Sequence, residues 1–74
     1  MPRRMTSSEI ADDLAARIES GEYPPDSRLP SYTQVAELYS VSVATAQRAM
    51  LVLRVRGLTY TQPGVGVFVA DRAH

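Results

Sequence analysis

Seventy-four residues with no cysteine allow one small domain, whose core comes from packing alone, without a disulfide framework or a thiolate metal site. Hydrophobic residues make up 45%, which suits a folded chain, yet no apolar run approaches a bilayer span. The formal net charge is +0, but residues 1–37 carry seven acids against four arginines, whereas residues 38–70 carry three arginines and no acid. That is a dipole: either chance segregation in a short chain, or a second half that faces a polyanion.

Residues 1–7 read as a flexible tail, basic through Arg3 and Arg4 and without the apolar stretch of a secretory signal. A cytoplasmic location is the default. Thr6-Ser7-Ser8-Glu9 has the form of a capping box and starts a first helix, in which Ile10, Leu14 and Ile18 repeat at four with Ala11 and Ala15 beside them. Gly21 stops it and Pro24-Pro25 forbids continuation. Asp12 and Asp13 are adjacent, so they diverge by about 100° on a helix and read as a solvated face rather than a metal or acid–base pair. The three-proline stretch at 23–30 is an extended connection in which Arg28-Leu29 can form a very short strand, Leu29 inward.

Residues 31–57 organise the chain. Ser31 caps a second helix with Gln34 completing a capping box, and Val35 and Leu38 share one face. Ser42 caps a third, with Ala46, Met50 and Leu53 at helical spacing and Thr45 at the place of a weaker box. Only Ser40-Val41 separates the two, so the helices cross steeply with Val41 expected in the elbow. This is a helix-turn-helix pattern. Gly57 ends the third helix in a left-handed position. Two β-favouring runs follow, 58–62 and 67–69, joined by Pro63-Gly64-Val65-Gly66, giving a hairpin in which Phe68 is expected to be core. The fold class is mainly α with a small β-hairpin, a winged helix-turn-helix of three helices and a two-stranded wing over residues 8–70, with 71–74 a polar tail.

The ordered set Ile10-x3-Leu14-x3-Ile18-x2-Gly21, Tyr23-Pro24-Pro25, Leu29-Pro30-Ser31, Val35-Ala36-x2-Tyr39, Val41-Ser42, Thr45, Ala49-Met50, Leu53, Gly57-Leu58 and the wing 63–69 resembles the N-terminal DNA-binding domain of the GntR family of bacterial transcription regulators. The resemblance implies a sequence-specific regulator, more often a repressor, acting as a dimer on palindromic double-stranded DNA. The recognition helix, about 42–56, would enter the major groove and the wing, 60–68, the minor groove. Ser42, Val43, Ala44, Thr45 and Gln47 would then face base edges. Ser31, Tyr32, Thr33, Arg48 and Arg54 would serve phosphates, and Gln62, Gly64 and Val65 would form the wing tip. The chain departs from the family where arginine is usual: it has Thr33 or Gln34, Val43 and Gln47, and Asp26 replaces a glycine. Val43, Ala44 and Gln47 suit thymine methyls and adenine edges.

Family members continue into an effector domain, so no small-molecule effector site is expected within these residues. In Met50-Leu51-Val52-Leu53-Arg54-Val55 the core pair is Met50 and Leu53; Leu51, Val52 and Val55 either pack within the monomer or form a homodimer or partner surface. A protein-interaction adaptor with an eroded DNA face is the alternative function. An enzyme has no support: His74 is the sole histidine, no cofactor or metal is implied, and Pro63-Gly64-Val65-Gly66 lies between strands rather than opening a helix, as a nucleotide loop would.

Overall fold

The computed structural model describes residues 5–71. It runs α1 (Ser7–Glu19), α2 (Tyr32–Tyr39), α3 (Val43–Val55), β1 (Thr59–Gln62) and β2 (Gly66–Val69). Arg3, Arg4 and His74 lie outside the described residues; Met5 already packs against the core and Thr6 caps α1. Both expected capping boxes form. The Thr6 hydroxyl accepts from the Glu9 amide while the Glu9 carboxylate accepts from the Thr6 amide, and Ser31 and Gln34 repeat the exchange at α2. Ser42 caps α3 through the Thr45 amide, and the two hydroxyls pair at 3.0 Å.

All three helices stop in the same way. A left-handed residue follows the last turn, and the amide after it folds back onto a carbonyl of that turn: Glu22 N–H to Arg17 O at 3.0 Å, Val41 N–H to Ala36 O at 2.9 Å, Leu58 N–H to Leu53 O at 3.0 Å. The left-handed residues are Gly21, Ser40 and Gly57. Two of them are the predicted glycine stops. Ser40, at φ 56°, holds the elbow of the helix-turn-helix in a conformation that disfavours a β-carbon. Ser40→Gly is therefore expected to raise stability by about 0.5–1 kcal/mol, the relief exceeding the extra entropy of the unfolded chain. A urea midpoint that falls instead would show that Ser40 stabilises the elbow in some other way.

α3 is the hub, packing against α1, α2 and β1. It buries Ala46, Ala49, Met50 and Leu53; α1 adds Ile10, Ala11 and Leu14, and α2 adds Val35 and Ala36. Leu29, Leu58 and Val69 close the base of this core. β1 and β2 pair antiparallel in the register Thr59↔Val69, Tyr60↔Phe68, Thr61↔Val67, Gln62↔Gly66. The predicted short strand is an isolated antiparallel bridge, Arg28↔Phe68, on the other edge of β2.

Three expectations change. Leu38 is 54% exposed, because Val35 and Ala36, not Val35 and Leu38, face α3. Val41 is half-buried, packing at the edge of the core rather than filling the elbow. Phe68 is not core: alternation along β2 turns Val67 and Val69 inward, so Phe68 lies on the outer face, stacked on Tyr60 at 5.7 Å. Tyr60 in turn donates to Asp26 Oδ1 at 2.9 Å. Asp26 has φ 64°, which explains why glycine would suit that position.

A polar tie joins α1 to the end of α2. The Tyr39 hydroxyl donates to Asp13, which also accepts from Arg17 Nε at 3.0 Å, and Arg17 reaches Glu22 at 2.9 Å. The Tyr39 bond, opposed by burial and aided by Arg17, holds the Asp13 carboxyl below its ordinary value; burial and the same bond push the Tyr39 phenol up. A carboxylate with a depressed folded pKa stabilises above its unfolded value, and that contribution is lost as pH falls through the folded one. A phenol with a raised folded pKa stabilises below its unfolded value, and its contribution is lost as pH rises through the folded one. Tyr39→Phe should thus cost about 0.5–1.5 kcal/mol at neutral pH. The deficit should shrink below about pH 4 and again above about pH 10. A deficit constant from acid to alkaline pH, measured by denaturant unfolding, would count against the tie.

Candidate nucleic-acid interface

The exposed surface of α3 is set by what the core takes. Ala46, Ala49, Met50 and Leu53 point inward, leaving Val43, Ala44, Gln47, Arg48, Leu51, Arg54 and Val55 outside. Val43, Gln47, Leu51 and Arg54 follow one another at helical spacing, and three of them (Gln47, Leu51 and Arg54) line a narrow crevice with Tyr32 of α2 and Thr59, Thr61 and Val67 of the hairpin. Arg48 lies about 100° round the helix from Gln47, outside the crevice. Val52 is half-buried against the core, so it leaves the outer face to Leu51 and Val55, 57% and 79% exposed.

The wing tip is a tight turn. Val65 N–H donates to Gln62 O at 3.0 Å, with Pro63 and then Gly64 at φ 76° between them, the residue order that a type II turn favours. Gln62, Gly64 and Val65 are exposed and line one wall of a second groove, of about 250 Å³, whose other wall is Ser31 and Tyr32. Tyr32 therefore sits between the wing and α3, lining both hollows. Thr33 lies further along the α2 surface, in a shallow depression with Gln34 and Leu38. Ser42 and Thr45 are at the head of α3, their hydroxyls engaged with each other and with the Thr45 amide. Of the site residues expected from sequence, the fold draws Ser31, Tyr32, Gln47, Arg54, Gln62, Gly64 and Val65 around two adjoining hollows. Val43, Ala44 and Arg48 lie exposed on α3 beside them.

Charge partitions across the molecule. Arg17 is bound by Asp13 and Glu22, and Arg56 by Asp12 at 2.9 Å. Arg56, one of the three arginines in the acid-free half, is thereby neutralised from α1. Arg28, Arg48 and Arg54 make no ion pair among the described residues, and no carboxylate lines either hollow. The surface of α3 and the wing is thus where positive charge remains available. Arg28 was legible only as part of a short strand; its place in the wing groove comes from pairing with β2, which no local pattern announces.

Residues 6–69 match the family described as bacterial regulatory proteins, gntR family. The chain belongs to the GntR family. Among its relatives, the HTH-type transcriptional regulator YjiR of Escherichia coli (strain K12) is 40% identical over 63 residues, covering 85% of this chain and 13% of that protein. The HTH-type transcriptional repressor NagR of Bacillus subtilis (strain 168) is 37% identical over 62 residues, covering 84% of this chain and 26% of its own length. The chain thus spans about a quarter or less of these relatives. Among solved structures, AraR(DBD) in complex with operator ORX1 superposes with a TM-score of 0.83 at 27% identity, over 95% of this chain and 82% of that one. The winged helix-turn-helix architecture of this GntR domain is shared with these DNA-binding neighbours.

Proposed function

We propose that this GntR domain binds double-stranded DNA sequence-specifically as a bacterial transcription regulator of the repressor type, in the cytoplasm at the nucleoid. The observation that carries this is the clustering of Gln47, Arg54, Ser31, Tyr32 and the wing tip around hollows that no carboxylate lines among the described residues, with Arg17 and Arg56 already paired to acids. α3 would enter the major groove by its head, presenting Val43, Ala44, Thr45 and Gln47 to base edges, with the Ser42 cap nearby. Gln62, Gly64 and Val65 would enter the adjacent minor groove, while Ser31, Tyr32, Thr33, Arg48 and Arg54 hold phosphates. The solved structure of AraR(DBD) in complex with operator ORX1, a neighbour at 27% identity, supports the DNA-binding reading. Two such domains on a palindrome would give a homodimeric complex, and the exposed Leu51 and Val55 offer an apolar surface for a second copy or another protein.

Selection from a random duplex library at near-physiological salt tests this reading. An enriched inverted repeat is the expected result, and a single half-site would mean a monomer that needs a partner. Failure to enrich any sequence, with binding lost at modest salt, would overturn the reading in favour of a protein-interaction adaptor.

A further inference from the structure

We infer that Arg28 is a DNA-contacting residue, gripping the phosphate that crosses between the wing and the N-terminus of α2; this rests on the DNA-binding reading above. The backbone at 27–29 is stitched to β2, Leu29 N–H donating to Val67 O at 2.8 Å and Val69 N–H to Ser27 O at 2.9 Å. Leu29 turns into the core and Arg28, its neighbour in an extended segment, turns out. The guanidinium then lies across the base of the wing loop, where a β-carbon on Gly66 would stand 2.8 Å from Arg28 Nε. Glycine at 66 is favoured by its φ of 152°, where any side chain would be strained. The sequence therefore leaves a wing residue without a side chain, and the Arg28 side chain occupies that space.

The position suits an anion. Arg28 shares its groove with Ser31 and Tyr32 on one wall and Gln62, Gly64 and Val65 on the other, and it has no ion pair among the described residues. If α3 takes the major groove and the wing the neighbouring minor groove, the strand between those grooves passes over this space. A planar guanidinium already laid in place matches a phosphate in bidentate fashion.

The test is fluorescence anisotropy of the full chain with its selected duplex and with a scrambled duplex, between 50 and 200 mM salt. Arg28→Met keeps an apolar stem over Gly66 and removes the charge; Arg28→Lys keeps the charge. Arg17→Ala makes the same change in net charge on α1, at a residue that lines neither hollow. Arg28→Met is expected to weaken both duplexes alike and to make the salt slope shallower by about 0.9, so that its deficit narrows about 3-fold across that range. Arg28→Lys should recover most of the slope, and Arg17→Ala should leave it unchanged. A wild-type slope in Arg28→Met, or an equal change in Arg17→Ala, overturns the inference while leaving DNA binding intact. A wild-type chain that binds neither duplex overturns both.

Discussion

Leu53→Ala is expected to destabilise the domain by about 2–5 kcal/mol, the range for deleting a buried leucine side chain from a packed core. Leu53 is fully buried in α3, the helix that α1, α2 and β1 all pack against, so a cavity there opens in the element that holds the core together. A domain of this size holds on the order of 4–11 kcal/mol in total, which makes the loss a large fraction of the whole. Thermal and urea unfolding should register it as a melting temperature lower by about 10 °C or more. Leu51→Ala, two residues earlier on the same helix, is the contrast: at 57% exposure it should change stability by no more than about 0.5 kcal/mol. Equal losses in the two variants would mean that the face of α3 assigned to the core is wrong.

Gln47→Ala carries the largest expected effect on recognition. The Gln47 side chain is exposed, beside Tyr32 and Arg54, and its amide has no hydrogen-bond partner among the described residues. A free primary amide on a recognition helix can read the N6 and N7 edge of adenine in bidentate fashion. The variant should therefore lose about 1–3 kcal/mol on the preferred site and become tolerant of substitution at one base position. The measurement is a set of affinities for the selected duplex and each single-base variant at fixed salt. An unaltered base profile, even with weaker binding, would remove Gln47 from the base-reading set.

Much of this molecule was legible locally. A capping box needs only a hydroxyl and a Glu or Gln three residues on, which is why the starts of α1 and α2 could be read from Thr6, Glu9, Ser31 and Gln34. Gly21 and Gly57 announced two helix ends because a left-handed residue favours glycine. Ser40 takes the same conformation without the same signal. Leu38 and Phe68 were misplaced for a related reason. Apolar character marks a residue that can be buried, but which side of α2 meets α3, and which alternate residues of β2 turn inward, depends on partners distant in the chain.

The order of elements, the caps, the tight Ser40-Val41 elbow and the family likeness were determined by the sequence alone, since each rests on neighbours a few residues apart. The charge pattern was half determined. An acid-free stretch is visible in the chain, but only the packing of α1 on α3 brings Asp12 to Arg56, while Arg48 and Arg54 make no ion pair among the described residues. The place of Arg28 was decided entirely by tertiary structure. Its strand pairs with β2 across some forty residues of sequence, and the hydrogen bonds of that bridge, not any local preference, lay the guanidinium over Gly66.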